Sequence, residues 1–284
     1  MRVETPPSLT TDQFSRLARI VHDDSGIVLT EAKRGLLMAR LNRRLRALGL
    51  AEYGAYCALL NSPGGASERR HMLSAVTTNV TAFFRESHHF DALTRQVLPP
   101  LIEAARKGRR VRLWSAACSS GEEPYSMAIS VLECFPDAAR YDLLILATDI
   151  DPVMVAKAQA GVFPETSVQG LAPAKLSTHF TRTGTSYEAG APLRSIMRFA
   201  ELNLHHEWPF SGQFDVIFCR NVVIYFDGDA RRLLWQRFAA QLHAGGHLFI
   251  GHSERLDGPA SATFRLAGPT HYVNTAPSPA GQSV

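Results

Sequence analysis

The sequence holds 284 residues, 45% hydrophobic and 20% charged, a composition that excludes a mainly disordered chain. No apolar run approaches the ~20 residues of a membrane-spanning helix, and the opening MRVETPPSLT contains nothing that reads as a signal peptide, so a cytoplasmic protein is expected. The formal charge of +4 is uneven: residues 1–85 carry 12 Lys/Arg against 7 Asp/Glu, the remainder 18 against 19, which points to an anionic partner for the N-terminal third, either nucleic acid or an acidic protein surface.

In chain order, the N-terminal third reads as helices. Thr10-x-x-Gln13 has capping-box spacing, Phe14, Leu17, Ala18 and Val21 follow on one face, and Gly26 offers a stop. The segment EAKRGLLMARLNRRLRALGL places Leu37, Leu41, Leu45 and Leu48 on one stripe, with Gly49 at the position of a left-handed C-terminal residue. Shorter helices are expected over Tyr53 to Leu60 and Glu68 to Thr77, with NSPGGAS as the loop between them.

From about Arg110 the pattern changes to short apolar runs alternating with helical periods. VRLWSAA, DLLILATD, FDVIFCRNV and HLFIGHS read as buried strands. EEPYSMAISVLECF, the stretch Pro152 to Ala160, and DARRLLWQRFAAQL, ended by Gly245-Gly246, read as helices. This alternation implies a parallel sheet covered on both faces. FRLA and HYV, around Gly268-Pro269, predict an antiparallel hairpin at a sheet edge. The rhythm lapses between Gly161 and Leu202, where only SIMRFAEL looks extended, so a small insertion is expected there. The tail TAPSPAGQSV is expected to be disordered.

In such a sheet the ligand lies beyond the carboxyl ends of the strands. Three of those ends carry polar sets: Ser115 to Glu123, Thr148 to Asp151, and Cys219-Arg220-Asn221. The first is not GxGxxG. It has one glycine, Gly121, followed by Glu122 and Glu123, and two carboxylates there would repel a pyrophosphate. They favour a cationic ligand, and S-adenosylmethionine offers a sulfonium and an ammonium with no phosphate. The competing reading is that the two acids only complement a helix dipole. Asp149 stands where an acid can accept ribose hydroxyls, and Asp151 where it can cap the following helix. Cys57, Cys118, Cys134 and Cys219 form no CxxC pair, and the adjacent pairs His88-His89 and His205-His206 have no ligand spacing, so no metal is expected.

TTNVTAFFRESHHF (77–90), WSAACSSGEEPYSMAI (114–129), ATDID (147–151), FDVIFCRNVVIYFD (214–227) and GHSE (251–254), in that order and spacing, resemble the CheR-type chemotaxis receptor glutamate methyltransferases. The resemblance implies an α/β protein: an N-terminal all-α helical domain, then a Rossmann-like class I S-adenosylmethionine-dependent methyltransferase domain with a small inserted β-subdomain. It sets the domains at 1–86 for receptor recognition and linker, 87–274 for the methyltransferase with the β-subdomain at about 161–202, and 275–284 for the tail. Asn79, Thr81 and Arg85 are implied to approach the cofactor from the linker, Glu123 to meet the methionine amino group, and Asp149 the ribose. Asn203 and Leu204 would flank adenine, Arg220 and Asn221 would line the pocket, and Arg85 and Tyr225 would orient the acceptor. The product would be S-adenosylhomocysteine.

The partner implied is the cytoplasmic helical region of membrane chemoreceptors, rich in Glu, without nucleic acid, membrane insertion or metal. A basic helix suits such a region electrostatically, and Arg40, Arg43, Arg44 and Arg46 are the candidate contacts. Two alternatives remain at this point. One is a non-catalytic adenosine-ligand sensor whose basic helical domain binds nucleic acid or protein. The other is a nicotinamide oxidoreductase, which the acid-rich loop disfavours.

Overall fold

The computed structural model describes residues 7–276. The disorder expected for 275–284 concerns, from residue 277 onward, positions outside the described residues, as are residues 1–6 of the opening segment. The chain divides into two compact units, Met1–Thr78 with Tyr225–Ala230, and Asn79–Ile224 with Arg231–Val284.

The first unit holds α1 (Thr11–Ser25), α2 (Arg34–Ala47), α3 (Tyr53–Leu60) and α4 (Ala66–Val76). The capping box forms as the spacing predicts: Thr10 Oγ1 accepts from the Gln13 N–H and Gln13 Oε1 from the Thr10 N–H, satisfying two N-terminal donors. Phe14, Leu17, Ile20 and Val21 are the buried face of α1, and Leu37, Leu41 and Leu45 that of α2. Leu48 leaves the stripe; it lies past the last helical turn and is exposed.

The second unit starts with α5 (His88–Ala92), which runs through a π turn (Leu93–Val97) into α6 (Leu98–Arg106). Pro99 and Pro100 lack N–H donors, so the ordinary helical ladder cannot continue through them. There follow β1 (Val111–Ala116), α7 (Glu122–Cys134), β2 (Leu143–Asp149), α8 (Pro152–Ala160), β3 (Val162–Pro164), α9 (Glu165–Val168) and α10 (Pro173–His179). The remainder is β4 (Phe180–Thr183), β5 (Ser186–Ala189), α11 (Ala191–Ser195), β6 (Met197–Glu201), β7 (Phe214–Cys219), α12 (Gly228–Gln241), β8 (Leu242–Ile250), β9 (Phe264–Gly268) and β10 (His271–Asn274).

The main sheet has the order β6-β2-β1-β7-β8-β10-β9. β6, β2, β1, β7 and β8 are mutually parallel, and β10 runs antiparallel to both β8 and β9, giving the expected edge hairpin. β1 leads to β2, β2 to β6 and β7 to β8 through segments that contain helices, while the chain crosses from β6 to β7 through the irregular residues 202–213, a Rossmann-like arrangement. All six residues of β7 are buried, as a strand covered on both faces requires.

Three boundaries differ from expectation, each for a local reason. The linker residues 79–86 belong with the second unit. The Asn79 carbonyl accepts from Ser119 Oγ (3.0 Å), the Phe84 N–H donates to Ser126 Oγ (2.9 Å), and the Phe83 ring meets Phe163 and Phe180 edge-on at 4.9 and 5.7 Å. The insertion is narrower than 161–202: β3, β5 and β4 make a separate antiparallel sheet, whereas β6 pairs parallel to β2 in the main one. Gly245-Gly246 does not end a helix. The chain enters β8 at Leu242, and the glycines sit where the β7–β8 register shifts, Gly245 at φ 78°.

Candidate active site

The polar groups of the second unit converge on the carboxyl ends of β1, β2 and β7. After β1 the chain takes a tight course, with Ala117 at φ 87°, Ser119 at φ 50° and Gly121 at φ 108°. A Cβ on Gly121 would lie 3.0 Å from the Ala158 Cα, so the loop approaches α8 as closely as only glycine permits. Six non-glycine residues among those described have positive φ. Five of them, Phe84, Glu86, Ala117, Ser119 and Asn221, lie in the linker or at these strand ends. Each such conformation costs roughly 1–3 kcal/mol and persists only where its surroundings impose it.

At Ser119 and Asn221 the imposing groups are buried carboxylates that hold the backbone N–H, at Phe84 the Ser126 hydroxyl and at Ala117 the Thr148 carbonyl. Asp149, at the end of β2, accepts the Ser119 N–H on one oxygen (2.8 Å) and the Asp151 N–H on the other (2.9 Å). Burial pushes its carboxyl up to about 6, against the pull of those donors. Asp151 caps α8 through the Val153 N–H (2.9 Å), as its position predicts, and also accepts from Asn79 Nδ2 (3.1 Å), tying the linker to β2. Glu254 is the most heavily committed acid: its carboxylate accepts N–H groups from Gly251, Asn221, Val222 and Val223 at 2.6–3.0 Å. One side chain thus joins the end of β8 to the turn after β7, and a Cβ on Gly251 would meet Asn221 Nδ2 at 2.6 Å, the Asn221 N at 2.8 Å and Glu254 Oε2 at 2.9 Å.

Arg220 is the cationic counterpart, 6% exposed. Its guanidinium pairs with Glu123 (3.0 Å) and Glu86 (3.5 Å), donates to the Arg85 carbonyl, and lies 5.6 Å from the Phe90 ring centroid. Glu123 also accepts from Ser115 Oγ at 2.7 Å. Burial raises the Glu123 carboxyl, opposed by Arg220 and Ser115. At Glu86 the balance falls the other way: burial pushes it up, but the His252 hydrogen bond (2.9 Å) and Arg220 more than offset this and hold it at about 2.

Residues 12–77 match the CheR methyltransferase all-alpha domain, and residues 79–273 match the CheR methyltransferase SAM binding domain. The chain belongs to the CheR methyltransferase family. A probable chemotaxis protein methyltransferase of Rhizobium etli is 48% identical over 260 residues, 90% of this chain and 97% of that protein. The chemotaxis protein methyltransferases of Klebsiella aerogenes and Escherichia coli are 40% and 38% identical, spanning 93% and 94% of this chain and 90% and 92% of theirs. The fold is therefore a CheR all-α domain followed by a class I methyltransferase domain, and the cofactor is S-adenosylmethionine. The donor set fits that cofactor. Glu122, Glu123 and Asp149 are buried around a loop of small residues, a field hostile to pyrophosphate and favourable to a sulfonium and an ammonium.

In this CheR methyltransferase domain the sequence-predicted residues fall into two groups. Asn79 and Asp149 are linked through Ser119 and Asp151, and Arg220 links Glu123, Glu86 and the Arg85 carbonyl, with Asn221 Nδ2 3.5 Å from Glu86; Thr81 lies half-buried within the same linker. Arg85 itself donates to the Val80 carbonyl (3.0 Å). Asn203 and Leu204 follow β6, where the Leu202 N–H donates to the Asp149 carbonyl (2.9 Å). Asn203 Oδ1 accepts the His205 N–H in a local turn (2.9 Å), and the Leu204 carbonyl accepts from Arg237 (2.9 Å). Glu123 and Arg220 form a closed pair rather than two separate pocket walls. Glu86 and Glu254 went unassigned in the sequence, although both lie in the quoted motifs FFRES and GHSE.

Glu86, His88 and His89 place ligand-capable atoms within 4.8 Å of one another. Arg220 and His252 already pair with Glu86, and His89, with no exposure, is held down to about 3 by burial and by Arg220. A guanidinium supplies the positive charge there, so the cluster makes a poor cation site.

The first unit carries the remaining candidates. Arg40 donates to the Val76 and Thr77 carbonyls at 2.5 and 2.8 Å, closing the end of α4. Arg44 makes a two-pronged bond to the buried Glu68, which also accepts from Tyr56 Oη (2.9 Å). Arg43 and Arg46 are exposed, Arg46 bonding only the Asn42 carbonyl one turn earlier (3.2 Å). Tyr225 is half-buried and clusters with this unit.

Proposed function

We propose that this chain methylates glutamate side-chain carboxylates of chemotaxis receptors, giving glutamate methyl esters and S-adenosylhomocysteine in sensory adaptation. The observation that carries the reading is the acid-lined, small-residue turn after β1, with Glu123 and Asp149 buried beside it. When bound, S-adenosylmethionine supplies an electrophilic methyl on a sulfonium and leaves as the thioether. Asn79, Thr81, Arg85, Glu123, Asp149, Asn203, Leu204, Arg220 and Asn221 are the residues assigned to hold it. Asp149 keeps lone pairs for the ribose hydroxyls, since a carboxylate has about four acceptor positions and two are used.

The acceptor needs no general base. A glutamate with an ordinary pKa of about 4.3 is already the nucleophile at neutral pH. The protein's task is to align carboxylate oxygen with methyl carbon and to strip water from the carboxylate. The Arg85 guanidinium and the Tyr225 hydroxyl, both donors to an anion, are assigned to orient it. Recognition of the Glu-rich receptor helix is assigned to the exposed Arg43 and Arg46. Arg40 and Arg44 are spent on the helical unit, which narrows the basic contact to two residues.

Incubating the full chain with receptor-containing membranes and methyl-labelled S-adenosylmethionine tests this. Label should enter the receptor and be released by mild alkali as methanol, as an ester requires. Alkali-stable label, or none in receptors with acceptor glutamates intact, would overturn the substrate assignment.

A further inference from the structure

Within the methyltransferase domain one buried cation is shared between two acids. The Arg220 guanidinium lies 3.0 Å from Glu123 and 3.5 Å from Glu86, and it also donates to the Arg85 carbonyl. The side chains of Arg220, Glu123 and Glu86 are 2%, 11% and 11% exposed, so water compensates little of their charge. The set therefore holds one negative charge more than it holds positive. The nearby histidines do not balance it from within. His89 stands 3.6 Å from Glu86, but burial and Arg220 hold it down to about 3, so it is uncharged at neutral pH. His252 reaches Glu86 at 2.9 Å from a side chain 68% exposed, and His88 is exposed as well. Asn221 Nδ2, 3.5 Å from Glu86, is a neutral donor.

The surplus lies where a cation can reach it. Glu123 stands in the first turn of α7, directly after the small-residue turn that follows β1. Ser115 and Arg220 take two of its acceptor positions, and a carboxylate has about four. The ammonium of S-adenosylmethionine would bring the count to two cations for two carboxylates. With Glu86 uncharged, ammonium and guanidinium would compete for Glu123, and one of them would be buried without a counter-charge, which is strongly unfavourable.

We propose that Glu86 is a positioning residue for the cofactor's ammonium: without touching the ligand, it carries the Arg220 guanidinium as a second counter-ion and so leaves Glu123 to the ammonium. The inference rests on Glu123 meeting that ammonium, and it is independent of which acceptor is methylated. It also gives a purpose to the backbone at this point, where Glu86 is held at φ 57° and the carbonyl before it is bonded to Arg220.

Calorimetric titration of the full chain with two ligands tests it. Decarboxylated S-adenosylhomocysteine carries the ammonium without the carboxylate, and methylthioadenosine carries neither. Glu86→Gln should weaken the amine ligand about tenfold, the scale of one unit charge lost a few ångströms away in a partly buried site, and should leave methylthioadenosine within about twofold. Glu86→Asp keeps the charge but withdraws it by one methylene. It should weaken the amine by about two- to threefold and methylthioadenosine not at all, and it carries the comparison should Glu86→Gln fail to fold. Equal weakening of both ligands would mean that Glu86 only shapes the pocket. An unchanged or tighter amine complex in Glu86→Gln would mean that Arg220 needs no second counter-ion. Either result overturns the inference. Glu123→Gln probes the assignment beneath it: the amine should be lost by a larger factor than in Glu86→Gln, with methylthioadenosine binding retained. If Glu123→Gln spares the amine, the ammonium lies elsewhere, and the role of Glu123 is withdrawn together with that of Glu86.

Discussion

The strand-end loops of the methyltransferase domain and the basic helix α2 of the helical unit both announced themselves by charge, yet they use it differently. In the loops almost every charge is consumed internally: Asp149 and Glu254 hold backbone N–H groups, and Arg220 ties Glu123 and Glu86 together. On α2 the same residue type splits, with Arg40 and Arg44 bonded inward and Arg43 and Arg46 outward. Charge therefore marks where to look, and only an accounting of partners separates the groups that build a site from those that meet something else.

The greatest loss should come from Glu254→Ala. It leaves four backbone N–H groups without their acceptor at the joint of β7 and β8, and each buried orphan costs about 1–3 kcal/mol. Chemical denaturation should show more than ~4 kcal/mol of destabilisation or an unfolded chain; a change below ~1 kcal/mol would mean that the turn holds itself. Glu86→Gln comes next. The folded Glu86 carboxyl is held at about 2 against an ordinary 4.5, worth ~3 kcal/mol at neutral pH. A depressed carboxyl stabilises above its unfolded pKa and loses that contribution as the pH falls from 4.5 towards 2. The gap between Glu86→Gln and the unaltered protein should therefore be full at pH 7 and shrink below pH 4.5. A gap independent of pH would assign the loss to packing.

How much could be read in advance follows the range of the interactions. The capping box at Thr10, the Asp151 cap and the parallel strands are written within a few residues and were legible. The Asp149 position and the acid-rich turn were legible because a doubly wound sheet sends its ligands to one end of its strands. Glu254 was not: its four donors come from two strand ends some thirty residues apart, and nothing local distinguishes it from any exposed glutamate. The Gly245-Gly246 pair misled because two glycines after a helix look the same as a cap and as a bulge. The partners of Arg40 and Arg44, the α4 terminus and Glu68, were not legible for the same physical reason, since they lie 24–37 residues away.

The finest test of the contrast pairs two neighbouring arginines. Arg44→Ala leaves the buried Glu68 carboxylate with Tyr56 as its main remaining donor, and breaking so buried a pair costs about 2–3 kcal/mol at this partial exposure. Arg43→Ala removes an exposed side chain, and its effect on stability should stay within about 0.5 kcal/mol. In receptor methylation the order should reverse once both proteins are compared below their melting temperatures: Arg43→Glu should raise the receptor KM several-fold with cofactor Kd unchanged, whereas Arg44→Ala should methylate normally while folded. Rim charges act mainly through encounter, so the Arg43 effect should also fade as salt rises. An Arg43→Glu protein with an unaltered receptor KM at low salt would remove α2 from recognition and leave its basic character as solvation alone.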